Sequence, residues 1–350
     1  MKKFLAGIVI LSCTAVNAQD TAKTGNLVIG GSVDGYCRYN FHNAKDVRIT
    51  NNITSFTNSQ NSFELGMASV RADYSIGKVS ATIDLGFGKR AQEFSYNDSG
   101  ALTAIKQAYL SYAPSDKVKF TLGKWGTHVG YELVDAYLNR NYSMAYMFSY
   151  GPFFHTGIKA DFAFDSFGFM IGIANPTDYL SASFERKFLI GQVSAATENG
   201  RLKGYLNYVG GKYENDMSVN QIDLVLNGAV SDQFSIGYNG TIQMLKPEGG
   251  ESESWWGSAL YLNYDPVKMF GLTLRGEYFD DDKGVSGLSS SVGVPTSVFA
   301  ATLSGNIRID NLTIIPEFRL DNADDAIFSK SSGEAVKSSG TFILAATFRF

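Results

Sequence analysis

A transmembrane antiparallel β-barrel of about 16 strands is the fold this sequence predicts, and three observations predict it. From residue 26 to the end, segments alternate apolar and polar residues at the period of a two-faced strand, not of a helix. The links between segments alternate short and long, as tight turns at one rim and larger loops at the other require. Aromatic side chains on the apolar faces gather at both strand ends, where amphipathic rings meet the two headgroup regions of a bilayer.

Taken in order, the alternating segments run over 26–40, 60–74, 78–89, 104–113, 118–126, 152–164, 167–174, 185–197, 201–212, 218–230, 233–244, 253–265, 271–281, 296–309, 312–321 and 339–350. Links at 75–77, 114–117, 165–166, 231–232 and 310–311 are short; those at 41–59, 90–103, 127–151, 282–295 and 322–338 are long. Short links fit periplasmic turns and long ones extracellular loops, and an even strand count returns both termini to the periplasmic side.

The apolar faces carry sets such as Val79, Ala81, Ile83, Leu85 and Phe87, or Phe299, Ala301, Leu303, Gly305 and Ile307. Opposite faces carry charges at mid-strand. A β-sandwich shows the same alternation with its apolar face buried, so the aromatic ends decide the matter. One band is Tyr74, Tyr112, Phe120, Phe164, Phe167, Phe234 and Tyr264; the other is Tyr39, Phe87, Tyr208, Trp256, Tyr278 and Phe299. A chain that spans lipid this way must close, because every backbone N–H and C=O in hydrocarbon needs a partner. Sixteen strands then leave an aqueous channel.

The start, "MKKFLAGIVILSCTAVNAQD", reads as a secretory signal peptide over 1–18, cleaved after Ala18; Cys13 leaves a lipoprotein signal as the alternative. The mature chain then keeps Cys37 as its one cysteine and forms no internal disulfide. It holds no run of ~20 apolar residues for a spanning helix. A net charge of -4 without a basic, aromatic-laced run speaks against nucleic acid.

By strand parity the expected pore-lining residues are Arg71, Asp73, Asp84, Lys203, Asp223, Arg275, Glu277, Arg308, Glu317 and Arg319. Arg38, Lys119, Lys159, Arg201, Arg349, Asp34, Asp161 and Asp321 share those faces. The signs are nearly balanced, which predicts weak ion selectivity, since strong selectivity comes from rings of one sign. The longest link, 127–151, carries Glu132, Asp135 and Arg140 among many aromatics. It either folds into the lumen as a constriction or caps the surface.

Catalytic readings have less behind them. His128 with Glu132 and Asp135 has helical metal-ligand spacing, and Ser143 or Ser149 could pair with His128 or His155, but no G-x-S-x-G supports a nucleophile. "GFGK" (86–89) and "VGGK" (209–212) lack phosphate-loop spacing and no helix follows. No catalytic residue, metal site or cofactor is expected.

The segment "FTLGKWGTHVGYELVDAYLNRNYSMAYMFSYGPFFHTGIKA" (120–160), with Gly130, Glu132, Asn141, Tyr142, Pro152, His155, Thr156 and Gly157, resembles the OmpL-like β-barrel porin family, as does "GGSVDGYCRYNF" (30–41). The resemblance implies a Gram-negative outer-membrane pore without supplying a solute or binding residues. The expected function is passive diffusion of small hydrophilic solutes, with a barrel-borne hydrolase or a plugged structural or adhesive barrel as alternatives. The expected partners are outer-membrane lipids, the barrel-assembly machinery and the solutes. A homo-oligomer is also compatible with this class, though no lipid-facing interface stands out.

The final strand, "TFILAATFRF", places Phe342, Leu344, Ala346, Phe348 and Phe350 outward and Ile343, Ala345, Thr347 and Arg349 inward, closing against 26–40. The terminal Phe350 resembles the sorting signal that barrel-assembly machinery reads in outer-membrane proteins.

Overall fold

The computed structural model describes residues 24–44 and 50–350. The expected signal peptide over 1–18, with Cys13, lies outside the described residues. Sixteen antiparallel strands close into one barrel. They are β1 (Asn26–Asn40), β2 (Ser62–Ile76), β3 (Val79–Phe87), β4 (Ile105–Ser115), β5 (Val118–Gly126), β6 (Phe154–Ala163), β7 (Phe167–Ala174) and β8 (Phe188–Ala196). The second half comprises β9 (Leu202–Lys212), β10 (Ser218–Ala229), β11 (Phe234–Lys246), β12 (Glu253–Val267), β13 (Phe270–Asp281), β14 (Thr296–Ile309), β15 (Leu312–Ala323) and β16 (Ser338–Arg349). Strand ends differ from the sequence-predicted ranges by three residues at most.

Each strand pairs with its chain neighbours, and β16 pairs with β1 from Ser32↔Arg349 to Asn40↔Thr341. That closure removes the sandwich alternative, because a sandwich has edges and this sheet has none. Turn chemistry sets the short rim. Gly77 (φ 58°) and Asp310 (φ 51°) supply the left-handed backbone that two-residue hairpins need, joining Ile76↔Val79 and Ile309↔Leu312. The long links carry α1 (Lys89–Phe94), α2 (Tyr146–Tyr150) and α3 (Gly287–Val292), and the last holds a small hairpin of Phe328–Ser329 with Ala335–Val336.

Side-chain direction follows the two-residue period. On β14, Thr302, Ser304 and Asn306 are buried inside while Phe299, Leu303 and Ile307 are exposed outside; on β16, Thr341, Ile343, Ala345 and Thr347 are inside and Leu344 and Phe348 outside. The aromatic bands ring the barrel through cross-strand neighbours, Tyr112↔Phe120 and Phe234↔Tyr264 at one end, Tyr278↔Phe299 at the other. Trp256 packs at a tilt against Tyr278 with ring centroids 5.4 Å apart. A continuous apolar outer belt on this scale has a stable place only in lipid.

The last residue completes the closing ladder: Gly31 N–H donates to the Phe350 carbonyl and Phe350 N–H donates to the Gly31 carbonyl, both at 3.0 Å. Deleting Phe350 removes both bonds and an exposed ring at the rim. The expected outcome is a lower yield of heat-resistant, fast-migrating folded barrel on unheated gels; an unchanged yield would contradict any role in assembly.

Candidate functional site: the occupied interior

The segment 127–151 runs through the interior of the barrel. It is irregular apart from α2 and a 3-10 turn at Ala136–Leu138, so its backbone groups must find partners outside any ladder. Charged side chains of the wall supply them. The Glu317 carboxylate accepts from Tyr142 N–H (2.7 Å) and Ser143 N–H (3.0 Å), and Glu277 accepts from Tyr146 N–H (2.7 Å). The Arg275 guanidinium donates to the Ser143 carbonyl (2.7 Å) and Arg319 to the Met144 carbonyl (2.6 Å). Within the segment, Glu132 accepts from Ala145 N–H at 2.7 Å. Farther along the wall, Asp223 accepts from Gly130 N–H (2.9 Å) and Asn306 donates to the Arg140 carbonyl (3.0 Å).

Four of these charges also pair with one another and with Asp321. Glu132, Arg275, Glu277, Arg319 and Asp321 form a chain of ion pairs at 2.6, 3.5, 3.4 and 2.9 Å. All five are buried. Tyr142 and Tyr146 add hydroxyl donors to Asp34 (2.6 Å) and Asp321 (2.9 Å). Burial foremost, and then the carboxylate beside each, holds both phenols above their ordinary range, so both stay protonated and donate. At its deepest point the segment's Arg140 grips Asp265 with two bonds of 2.9 Å, and Arg308 meets the same carboxylate at 2.8 Å.

Two wall glycines make room. A Cβ at Gly237 would lie 2.5 Å from the Tyr131 ring, and one at Gly257 would collide with the Met147 side chain. Tyr131 lies there stacked on Tyr261, ring centroids 4.0 Å apart.

Between the segment and strands β1–β4 a cavity of about 390 Å³ remains. It extends from Val28, Arg349 and Phe350 at the short-turn end to Phe94, Phe148 and Phe153 beneath the long loops. Arg71, Asp73, Asp84 and Lys106 line its wall side; Glu132, Asp135 and Tyr137 line its segment side. Most of its charges are paired: Arg71 with Asp73 at 2.7 Å, and Lys106 with both Asp84 (3.1 Å) and Asp135 (2.6 Å), while Arg349 at the short-turn end has no ion pair among the described residues.

The residues expected along the lumen thus separate by surroundings. Arg71, Asp73 and Asp84 border the cavity, while Arg275, Glu277, Glu317 and Arg319 face inward and are covered by the segment. Asp223 is held by Gly130, Asn207 and Asn239. Lys203 lines a separate recess of about 320 Å³ at the short-turn rim with Asp161 and Gln192. Lys106, absent from the parity set, is the extra residue of a β-bulge: Asp84 pairs with Gln107 and Leu85 with Ile105, which turns Lys106 inward against the strand's parity.

The catalytic constellations do not assemble. His128 and His155 lie with ring centroids 5.1 Å apart, but His128 Nε2 bonds the Tyr208 carbonyl (3.2 Å) and His155 Nε2 the Thr127 hydroxyl (3.1 Å). Ser149 donates to the Ala145 carbonyl and Ser143 lies beside Arg275; neither bonds a histidine. Glu132 and Asp135 are engaged by Arg275 and Lys106. Among the described residues no three His, Cys, Asp or Glu side chains converge on a metal position.

The family described as beta-barrel porin-2, OmpL-like, matches residues 26–350. The chain belongs to this family. It is an outer-membrane β-barrel of the porin class. No curated protein matches the chain at the sequence level. Among solved structures, the barrel is similar to the outer membrane channel DcaP of Acinetobacter baumannii, at 13% identity and a TM-score of 0.63 over 93% of this chain and 97% of that one. It is also similar to an anion-selective porin from Comamonas acidovorans, with 11% identity and a TM-score of 0.61 over 93% and 100%. In-vitro folded OmpT of Vibrio cholerae in its trimer form gives 12% identity and a TM-score of 0.60 over 93% and 99%. At such identities the likeness is one of fold.

Two predictions follow from the interior of this porin. Replacing Arg275 with Met leaves Glu132 and Glu277 buried without their shared cation, which destabilises by about 3–5 kcal/mol; protease cleavage within 127–151 of the reconstituted barrel is expected to rise steeply, with the barrel itself retained. The second concerns pH. Burial foremost, with the Lys159 cation adding to it, lowers His128 from 6.5 to about 4. The neutral imidazole is the folded form, so its contribution is complete above pH 6.5 and is lost as pH falls toward 4. Protease access to the segment is therefore expected to increase across that window, and His128→Gln should flatten the profile.

Proposed function

We propose that this porin passes small hydrophilic solutes by passive diffusion, along the cavity between strands β1–β4 and the segment 127–151, with that segment as the constriction and no chemistry performed on the solute. The observation that carries the reading is the polar corridor itself, bordered by Arg71, Asp73, Asp84 and Lys106 on one side and by Glu132, Asp135 and Tyr137 on the other. Both signs border it, most of them as ion pairs, which supports weak ion selectivity: a permeating ion meets no ring of one sign. A homo-oligomer is in keeping with the reading, since one similar structure is a trimer. Outer-membrane lipids would cover the apolar belt, and barrel-assembly machinery would insert the chain, with Phe350 as its signal.

One observation favours the plugged-barrel alternative: the corridor ends under a closely packed aromatic cluster beneath the long loops. Planar-bilayer recordings separate the two readings. The porin reading expects unitary conductance with a small reversal potential in a salt gradient, and a larger conductance after deletion of 132–140, which removes the segment side of the corridor. A silent barrel, or conductance untouched by that deletion, would count against it.

A further inference from the structure

Phe94, Phe148 and Phe153 line the corridor's outer end and belong to one buried cluster with Phe56, Met144 and Phe154. Ring centroids of Phe56 lie 5.5 Å from Phe153 and 6.0 Å from Phe148, and Phe94 lies 5.5 Å from Phe154. Four of these side chains stand on a strand, a helix or the interior segment, and Phe153 immediately precedes β6. Phe56 alone comes from 50–61, a stretch without helix or strand. Its backbone adopts φ 75°, a left-handed conformation that a bulky L residue rarely takes and that persists only where surrounding contacts impose it.

Buried Arg38 ties the ends of the stretch through the carbonyls of Thr50, Asn51 and Ser59, and a separate set of contacts holds Phe56 between them. Phe56 N–H donates to Glu93 Oε2 (2.7 Å), and Asn58 donates to Glu93 Oε1 (2.6 Å). The Arg90 guanidinium sits between the Phe56 and Tyr142 rings, 4.9 and 5.0 Å from their centroids. Ser55 N–H donates to the Ser149 hydroxyl (2.9 Å) and the Tyr150 hydroxyl to the Ile53 carbonyl (2.6 Å). Each of these tethers involves a side chain, so all can break without disturbing the barrel ladder.

We propose that 50–61 is the gate of this porin and Phe56 its stopper. Seated, the ring completes an apolar barrier that excludes water from the outer end of a polar corridor. Released, the segment relaxes its backbone at Phe56 and joins the corridor to the exterior. The inference rests on the porin reading and adds that the pore has a closed state, the one described above.

The test uses the full-length protein in planar bilayers, with its folded state checked by heat-modifiable migration. Phe56→Gly removes the stopper and accepts the left-handed backbone; the fraction of time open is expected to rise roughly tenfold, as loss of one buried ring shifts a two-state equilibrium, with the open-state conductance unchanged. Ser55→Cys with Ser149→Cys, in a Cys37→Ser background, should hold the gate shut under oxidation and release it under reductant. A steadily open wild type whose conductance neither variant changes would overturn the gate and leave the porin reading standing. No conductance from wild type or Phe56→Gly would overturn both.

Discussion

The structure depends on satisfying irregular backbone inside a closed sheet. A barrel wall spends its own N–H and C=O groups on its ladder, so the 127–151 segment can lie inside only if side chains supply donors and acceptors. Glu317 serves two successive N–H groups, Tyr142 and Ser143, from one carboxylate, and Arg275 and Arg319 serve the next two carbonyls. Charged groups suit this task because each offers several bonds from one wall position, and charge-assisted bonds are stronger than neutral ones. A carboxylate buried to cap an amide needs its remaining lone pairs met: Glu132 and Glu277 are met by Arg275 and Arg319, Glu317 by the Ser304 hydroxyl, and Asp223 by the Asn207 and Asn239 amides.

Much of the fold was legible in the sequence because a lipid-facing barrel writes its period plainly. Val79 to Phe87 or Phe299 to Ile307 can be nothing but one face of a strand, and Gly77 and Asp310 mark their turns. The interior was legible only in direction. Parity puts Arg275, Glu277, Glu317 and Arg319 inward, but no spacing says whether such a residue meets water or a folded segment, since the occupant comes from more than a hundred residues away in the chain. Lys106 was hidden for a different reason: a one-residue bulge reverses parity and leaves no mark in the alternation. Gly237 and Gly257 read as ordinary strand glycines until Tyr131 and Met147 are seen to lie over them.

The corridor is what the segment leaves over. Because the segment is anchored on β13–β15 and on β10–β11, the remaining space falls against β1–β4, and its chemistry is set by what those strands and the segment's near side present. Pairing Lys106 with both Asp84 and Asp135 ties wall to segment across that space, so the same contacts set the corridor's width and bury these charges as pairs. Widening it by breaking the tie would also leave Asp84 and Asp135 without their shared cation.

Attachment by single side chains has a mechanical consequence. The wall is one cooperative ladder from β1 around to β16, whereas the interior is held at discrete points: Glu317, Glu277, Arg275 and Arg319 for the central segment, Arg38 for the carbonyls of Thr50, Asn51 and Ser59, and Glu93 for Phe56. Opening free energies then differ between wall and contents, and the contents fall at the lower end, as moving elements of proteins do. The central segment has many anchors and a buried ion-pair chain; the 50–61 stretch is held by buried Arg38 and Asn51 at its ends and by Glu93, Ser149 and Tyr150 around Phe56. The two stretches thus differ in what holds them: the central one is fixed by a continuous chain of buried ion pairs, the outer one by separate hydrogen bonds to Arg38, Glu93, Ser149 and Tyr150.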